Sequence, residues 1–302
     1  MSKRRGDRTR PGLRAVLVPC DLTPSSDRVL ARVALLPLAF EARLTLLHVV
    51  PSNMPVPAQR RAMRDARKAL AEEARHLAST LPDDVQVVPV VSVGATAAEI
   101  ASRSVETNAE IIVMGRRGGR SLRDSFLGST AERVIRRSQK PVLVVRLRAH
   151  SPYRRPALAI DLDAAAGAAL EQLLRVIPPP RPRVTVIHAS EPPSRWLVYE
   201  SLSDEDVRAY RDYYRDEALQ RIRQLLLDVP EEDAPAWKIH VRVGTPRYVI
   251  KKAMESVDAD LLVLGTHGHS GVAYVFLGTV AGDVLREAGC DVLVVPPAIE
   301  RG

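Results

Sequence analysis

Cysteine, aromatic residues and long apolar runs are all scarce in this sequence of 302 residues. The two cysteines, Cys20 and Cys290, lie near opposite ends of the chain, which excludes a disulfide scaffold and a zinc site built from cysteines. Such cysteine usage is typical of a reducing compartment, so we expect a cytoplasmic protein. No run of 18 or more apolar residues occurs, and the apolar stretch behind the basic opening is too brief for a signal peptide. We therefore expect no membrane association.

Hydrophobic residues make up 46% of the chain and charged residues 26%, values that are typical of a globular protein and exclude a disordered or fibrous one. Aromatic residues contribute only 4%, so the cores must be aliphatic. The length predicts two domains. The net charge of +8 is uneven, because residues 1–150 hold 26 basic and 14 acidic side chains, whereas residues 151–302 hold 18 and 22.

The chain contains one pattern twice. Leu-Thr-Leu-Leu-His48 corresponds to Val-Thr-Val-Ile-His188, and Val-Leu-Val-Val recurs at 142 and at 292. Corresponding positions differ by 140 residues at first and by 150 from Gly94 onward. Within each copy, short β-branched and leucine-rich segments alternate with segments of helical periodicity, which predicts a parallel sheet with helices on both faces. We expect an α/β protein with two tandem, doubly wound, five-stranded parallel sheets. The predicted organisation is a basic arm over residues 1–12, domains over 13–149 and 156–302, and a linker over 150–155.

Glycine motifs follow the fourth predicted strand of each copy. Gly115 and Gly118 precede Gly128-Ser129 with the same spacing that separates Gly265 and Gly268 from Gly278-Thr279. Such glycines allow a ligand to approach the backbone closely, and a helix that begins at Gly-Ser or Gly-Thr offers free amides to a phosphate. The alternative is that the glycines only turn the chain and that the hydroxyl residues only cap helices. The repetition of one spacing at one fold position favours phosphate binding.

A carboxylate follows the first predicted strand of each copy, at Asp21 and Asp161. Ligands of such sheets bind beyond the carboxyl ends of the strands, where these carboxylates would accept hydrogen bonds from a base or a ribose. Capping of the next helix is the alternative role.

Together these motifs, with a histidine near the end of the second strand and a closing Pro-Val-Leu-Val-Val strand, resemble the universal stress protein family, present here as a tandem pair. The resemblance covers about Leu13 to Pro296. It implies a fold similar to the adenine nucleotide α-hydrolases, which is Rossmann-like, and a sensor or regulator that binds ATP with Mg²⁺. Members that do not bind ATP generally lack the glycine pattern, so the resemblance favours the ATP-binding branch.

The resemblance also implies the nucleotide-binding residues. In the first copy they are Pro19, Asp21, Leu44, Met114, Gly115, Arg116, Gly118, Gly128, Ser129 and Thr130. In the second copy they are Asp161, Val184, Leu264, Gly265, Gly268, Gly278, Thr279 and Val280.

The copies differ in the loop after the fourth strand. Arginines at 116, 117, 120 and 123 stand where the second copy has Thr266, His267, Ser270 and Ala273. Because arginine pairs well with phosphate oxygens, we expect the first site to hold polyphosphate more tightly or to prefer a more anionic ligand. A solvated basic loop is the alternative. In the second copy Ala159 and Asp163 replace Pro19 and Thr23. Asp163 adds a negative charge near the crevice, so we expect weaker ATP binding there unless Mg²⁺ compensates.

Catalysis has little support in the sequence. No Walker Gly-Lys-Ser/Thr occurs, and no Gly-x-Gly-x-x-Gly follows the first strand, which argues against a P-loop enzyme and a Rossmann dehydrogenase. We expect His48 and His188 to be packed with their ring nitrogens bonded to backbone, and His267 and His269 lack a third metal ligand. We therefore predict a binder with at most slow hydrolysis. A slow ATPase or nucleotidyl-transfer enzyme on the same fold is the alternative.

The sequence bears on two kinds of macromolecular contact. The basic arm favours nucleic acid, but the first half has few aromatic side chains to stack on bases, so nucleic acid is the minority interpretation. By resemblance, the two domains pair through their last strands, whose apolar edges invite a partner strand. A further homodimer is left open.

Overall fold

The computed structural model describes residues 10–24, 26–116, 129–162, 165–190, 203–266 and 279–297. The first half contains strands β1 (Leu13–Pro19), β2 (Leu38–Pro51), β3 (Gln86–Gly94), β4 (Ile111–Gly115) and β5 (Val142–Val145). Its helices are α1 (Ser26–Val33), α2 (Val56–Ser79), α3 (Thr96–Glu106) and α4 (Ser129–Arg137).

The second half repeats this order. Its strands are β6 (Pro156–Ala159), β7 (Val184–Ser190), β8 (Trp237–Val243), β9 (Leu261–Gly265) and β10 (Asp291–Val295). Its helices are α5 (Ala165–Val176), α6 (Asp204–Leu227), α7 (Pro246–Val257) and α8 (Thr279–Glu287), with a 3-10 turn at Glu231–Asp233. None of the helices in the described ranges combines the length and the apolar character that a membrane crossing requires.

The strands form one sheet of ten, in the order β3-β2-β1-β4-β5-β10-β9-β6-β7-β8. Each half contributes five parallel strands, so the predicted doubly wound fold is confirmed. The two five-stranded sheets are joined edge to edge, because β5 and β10 pair in antiparallel fashion with Leu293 opposite Leu143. In each half the strand order reverses between the first and fourth strands, which opens a crevice at their carboxyl ends.

The hydrophobic core lies in two layers, one on each face of the sheet. Because side chains alternate along a strand, Val16 of β1 joins one layer and its neighbour Leu17 joins the other. The first layer packs against α1, α2, α5 and α6, and the second against α3, α4, α7 and α8. Both layers contain residues of both halves, so the core continues across the junction of β5 and β10.

A polar cluster accompanies this apolar junction. Asp291, the first residue of β10, is fully buried, and its Oδ1 accepts hydrogen bonds from the backbone amides of Arg146 (2.7 Å) and Leu147 (2.8 Å). The guanidinium of Arg146 donates to the carbonyl oxygens of Leu285 and Ala288 at the end of α8. These bonds satisfy the last carbonyls of a helix, which have no partner within the helix itself.

Candidate functional site

The first crevice is a cavity of about 270 Å³ at the carboxyl ends of β1, β2 and β4. Its wall carries several polar side chains together with apolar ones. The lining residues are Pro19, Cys20, Asp21, Ser26, Val29, Leu47, His48, Val49, Thr96, Ile100, Met114, Gly115 and Thr130. The structure thus brings together the predicted residues Pro19, Asp21, Met114, Gly115 and Thr130.

Asp21 organises the loop between β1 and α1. Its Oδ1 accepts hydrogen bonds from the Thr23 amide (3.1 Å), the Thr23 hydroxyl (2.7 Å) and the Ser26 hydroxyl (2.9 Å). A carboxylate held in this way fixes the first turn of α1, which is the capping role that the sequence left as an alternative. Asp21 also lines the cavity, so the two roles are compatible.

His48 is fixed by the end of the neighbouring strand. Its Nδ1 lies 2.8 Å from the carbonyl oxygen of Cys20, and because a carbonyl only accepts, Nδ1 carries the hydrogen. The Nε2 atom of the neutral ring is then an acceptor. His188 repeats the arrangement with the carbonyl oxygen of Ile160 at 3.0 Å, so the predicted bonding of both rings to backbone is confirmed.

Burial raises the pKa of the Cys20 thiol to about 12, and the negative charges of Glu73 and Asp21 add to the effect. The thiol therefore stays protonated at neutral pH, so Cys20 is a small wall residue and not a nucleophile.

The second crevice is a cavity of about 350 Å³ in the equivalent place in the second half. Its wall is mostly aliphatic. The lining residues are Ala159, Ile160, Asp161, Ile187, His188, Ala189, Pro246, Ile250, Leu264, Gly265, Val280, Ala281 and Val284. Four residues that the sequence assigned to this site, Asp161, Leu264, Gly265 and Val280, are therefore brought together. The Asp161 Oδ1 accepts from the Leu162 amide at 3.0 Å.

Two predicted site residues lie away from the cavities. Leu44 and Val184 are fully buried in the core layer that packs against α1, α2, α5 and α6. Leu44 pairs with Val16, in the middle of β1, whereas the end of β1 at Pro19 pairs with Leu47. The second strand of each half therefore contributes Leu47–Val49 and Ile187–Ala189 to the wall instead. Counting from His48 and His188, which lie two or three residues before the ends of β2 and β7, would have found these positions.

The glycine motif is described only in part. Gly118, Gly128, Gly268 and Gly278 lie outside the described residues, while Ser129 and Thr279 are the first residues of α4 and α8. Arg116 directly follows the cavity residue Gly115, and its amide donates to the Val145 carbonyl at 3.3 Å.

Sequence reasoning missed several wall residues that come from helices. Ser26 and Val29 lie on α1, and Thr96 and Ile100 lie on α3. The helices that follow β1 and β3 begin close to the carboxyl edge of the sheet, so their first turns face the crevice. The position of Gly94 at the end of β3 was the available signal for Thr96.

Comparison with known proteins identifies the family. The family model described as the universal stress protein family matches residues 12–146 and 152–296. The chain therefore belongs to the universal stress protein family, with two tandem domains. A universal stress protein of Mycolicibacterium smegmatis is 27% identical in an alignment 302 positions long that covers 93% of this chain and 97% of the relative. A universal stress protein of Synechocystis is 28% identical over 151 residues, 47% of this chain and 97% of the relative.

Solved structures agree on the fold. A universal stress protein from Archaeoglobus fulgidus superposes with a TM-score of 0.70 over 94% of this chain and 99% of its own length. Its sequence identity is 20%, so this likeness extends to the fold alone.

Proposed function

We propose that this universal stress protein binds ATP in the crevice at the carboxyl ends of its parallel strands and acts as a regulator in the stress response. The observation that carries the proposal is the coincidence of a cavity, a carboxylate and the first glycine of the motif at the strand-order reversal. In the first half Asp21, Met114 and Gly115 share one wall. Nucleotides bind at such reversals because loops and helix N-termini converge there.

The cavity suits the adenosine part of a nucleotide. Apolar side chains such as Val49, Ile100 and Met114 offer surfaces for the base, while Asp21 and His48 offer acceptors to amino and hydroxyl groups. The phosphates would extend toward the start of α4, where unpaired amides and the helix dipole favour an anion. Arg116, next to Gly115, would add a positive charge at that end.

Mg²⁺ would be held mainly by the phosphates. In the part of the chain that the structure describes, no group of three histidine, cysteine or acidic side chains is arranged for a metal ion. Mg²⁺ commonly takes one or two protein carboxylates and completes its shell with phosphate oxygens and water. The ion would neutralise phosphate charge, with phosphate oxygens and water as its main ligands.

The same geometry favours binding over turnover. The Cys20 thiol is protonated, the His48 Nδ1 is committed to a carbonyl, and the Asp21 Oδ1 holds the following loop. Phosphoryl transfer needs a residue that positions the attacking group at the phosphate, whereas the proposal assigns Asp21 and His48 to the adenosine part. We therefore propose that occupancy changes conformation or partner binding, with hydrolysis slow at most.

The test is to denature the purified protein, identify the released small molecules by mass spectrometry and titrate the emptied protein with Mg·ATP by calorimetry. We expect ATP to be released and to rebind with micromolar affinity or better. Gly128→Ala should weaken binding at least tenfold, because the added methyl group blocks close approach to the phosphates. Gly289→Ala is the control, since nothing lies within 4 Å of its added carbon.

Protein that binds added ATP no tighter than millimolar, with Gly128→Ala without effect, would overturn the proposal. Release of ADP together with steady turnover would instead support the alternative that the protein is a slow ATPase.

A further inference from the structure

The two cavities correspond position by position, yet their hydrogen-bonding side chains differ. Asp21 and His48 are retained as Asp161 and His188. Every other thiol or hydroxyl position of the first wall is apolar in the second half. The replacements, in chain order, are Ile160 for Cys20, Ala166 for Ser26, Pro246 for Thr96 and Val280 for Thr130.

The second cavity is also larger than the first. Ala159, Ala169 and Ala189 occupy the positions of Pro19, Val29 and Val49. These smaller side chains agree with a cavity of about 350 Å³ against about 270 Å³ in the first half. The second cavity therefore has more room. It also lacks the hydroxyl donors of Thr96 and Thr130, whereas the Ser26 hydroxyl of the first cavity is already bonded to Asp21.

The loss of donors changes which ligands the cavity accepts. Asp161 only accepts hydrogen bonds, and His188, whose Nδ1 donates to the Ile160 carbonyl, offers an acceptor at Nε2 in the neutral ring. A wall of acceptors and aliphatic groups suits an uncharged ligand that donates hydrogen bonds. It disfavours an anion, because desolvated phosphate oxygens need donors.

The residue after the fourth strand also disfavours an anion in the second cavity. Thr266 replaces Arg116, is buried to 1% exposure, and both its amide (2.9 Å) and its hydroxyl (3.3 Å) donate to the Val295 carbonyl. Its hydroxyl is therefore engaged with β10. The remaining arginines of the first loop have no counterparts in the second, as the sequence shows.

We infer that the two cavities bind different ligands, the first a nucleoside polyphosphate and the second an uncharged nucleoside-like molecule. This rests on the proposed function of the first cavity. Because the glycines of the motif are retained in both halves, the discrimination comes from the wall and from the arginines. One chain would then respond to two different ligands and not to two molecules of the same ligand.

The experiment uses the full chain, freed of ligand, with Mg·ATP and adenosine as probes in calorimetric titrations. We expect ATP to saturate one site per chain at high affinity. Adenosine should then bind one further site in the ATP-saturated protein. Two ATP per chain with affinities within about threefold of each other would overturn the inference and leave the proposed function intact. No ATP binding at all would instead overturn the proposed function.

Reciprocal substitutions assign each ligand to its cavity. Thr130→Val should weaken ATP binding about tenfold, the effect of removing one hydrogen bond to a charged group, and leave adenosine binding unchanged. Val280→Thr combined with Pro246→Thr should raise ATP affinity at the second site and move the stoichiometry toward two. The control is Val105→Thr, an exchange of the same kind at an exposed position of α3 that lines neither cavity.

A further variant keeps the inference testable if the variants with exchanged polar residues do not fold. Ala189→Leu fills the second cavity with an aliphatic side chain and should abolish adenosine binding while ATP binding persists. Loss of ATP binding by Ala189→Leu, with adenosine binding retained, would place the ligands the other way round and overturn the inference.

Discussion

The guanidinium of Arg32 and the carboxylate of Asp291 form an ion pair at 3.0 Å across the junction of the two halves, 259 residues apart in the chain. Both side chains are almost fully buried, at 5% and 0% exposure. The Tyr153 hydroxyl donates to the same carboxylate oxygen at 2.8 Å, and its ring lies beneath the Arg32 guanidinium at 4.0 Å. The segment between the halves is thereby anchored to both of them.

Replacement of Asp291 by alanine should destabilise the protein severely. The change leaves the buried Arg32 charge, the Tyr153 hydroxyl and two backbone amides without their acceptor. Removing one member of a buried ion pair costs about 3–5 kcal/mol, so we expect a loss of that size in the free energy of unfolding. Urea denaturation followed by circular dichroism measures it.

The control for this variant is Glu132→Ala. Glu132 pairs with Arg136 at 3.0 Å, but both side chains are substantially exposed, at 33% and 46%. Such a pair contributes roughly 0.3–0.5 kcal/mol. Equal losses in the two variants would contradict the structural role of the Asp291 pair.

Tyr153→Phe tests the hydroxyl alone. The phenylalanine ring keeps the contact with Arg32, so only the hydrogen bond to Asp291 is lost. Because this bond is buried and its acceptor is charged, we expect a cost of about 1–3 kcal/mol. In the Asp291→Ala background the same change should cost much less, since its partner is already absent. Additive costs in the double variant would show that the hydroxyl acts independently of Asp291.

Gly12 and Gly167 predict opposite effects of the same substitution. Gly12 has φ of +152°, and an added carbon would lie 2.5 Å from the Pro37 carbonyl oxygen. Gly12→Ala should therefore destabilise the fold by about 1–3 kcal/mol. Nothing lies within 4 Å of the added carbon at Gly167 in α5, so Gly167→Ala should stabilise by roughly 0.5–1 kcal/mol. Thermal unfolding of both variants tests the contrast, and a shift of the same sign in both would contradict it.

The two cysteines should be unreactive in the native protein. Burial is the main cause that raises the pKa of both Cys20 and Cys290 to about 12. We expect no reaction with Ellman's reagent at pH 8 in buffer and two thiols per chain in urea. Rapid native labelling of either residue would contradict the burial.

The same thiols predict a dependence of stability on alkaline pH. An unfolded thiol ionises near pH 8.5, about the ordinary value, whereas the folded thiols keep their protons to about pH 12. Between these values the unfolded state binds fewer protons, so the free energy of unfolding falls as pH rises. In Cys20→Ala combined with Cys290→Ala this part of the decline should be absent.

The sequence predicted the elements of the fold well because the same pattern occurs twice. The segments Val142–Val145 and Val292–Val295 are short, rich in valine and flanked by a proline on one side. Two copies of each motif indicated the order of the elements. The position of the candidate site was predictable because ligands of such sheets bind where the strand order reverses.

The remaining features depend on contacts between distant segments. Leu44 was assigned to the site by likeness to relatives, but the register of β1 with β2 places it in the core. The buried role of Tyr153 was not foreseen either, because local polarity indicated only a linker. Composition does not reveal that a residue of the linker finds a partner 138 positions away.

The two strands at the junction, β5 and β10, are not interchangeable. In an alignment of the two halves, Pro296 and Pro297 take the positions of Arg146 and Leu147, whose amides hold Asp291. Proline has no amide hydrogen, so two β10 strands paired in the same register would leave both aspartates without these donors. Two β5 strands would have Pro141 in place of Asp291. The edges of β5 and β10 are similar because the two halves are copies of one pattern. They have diverged so that each edge pairs well with the other but not with a second copy of itself.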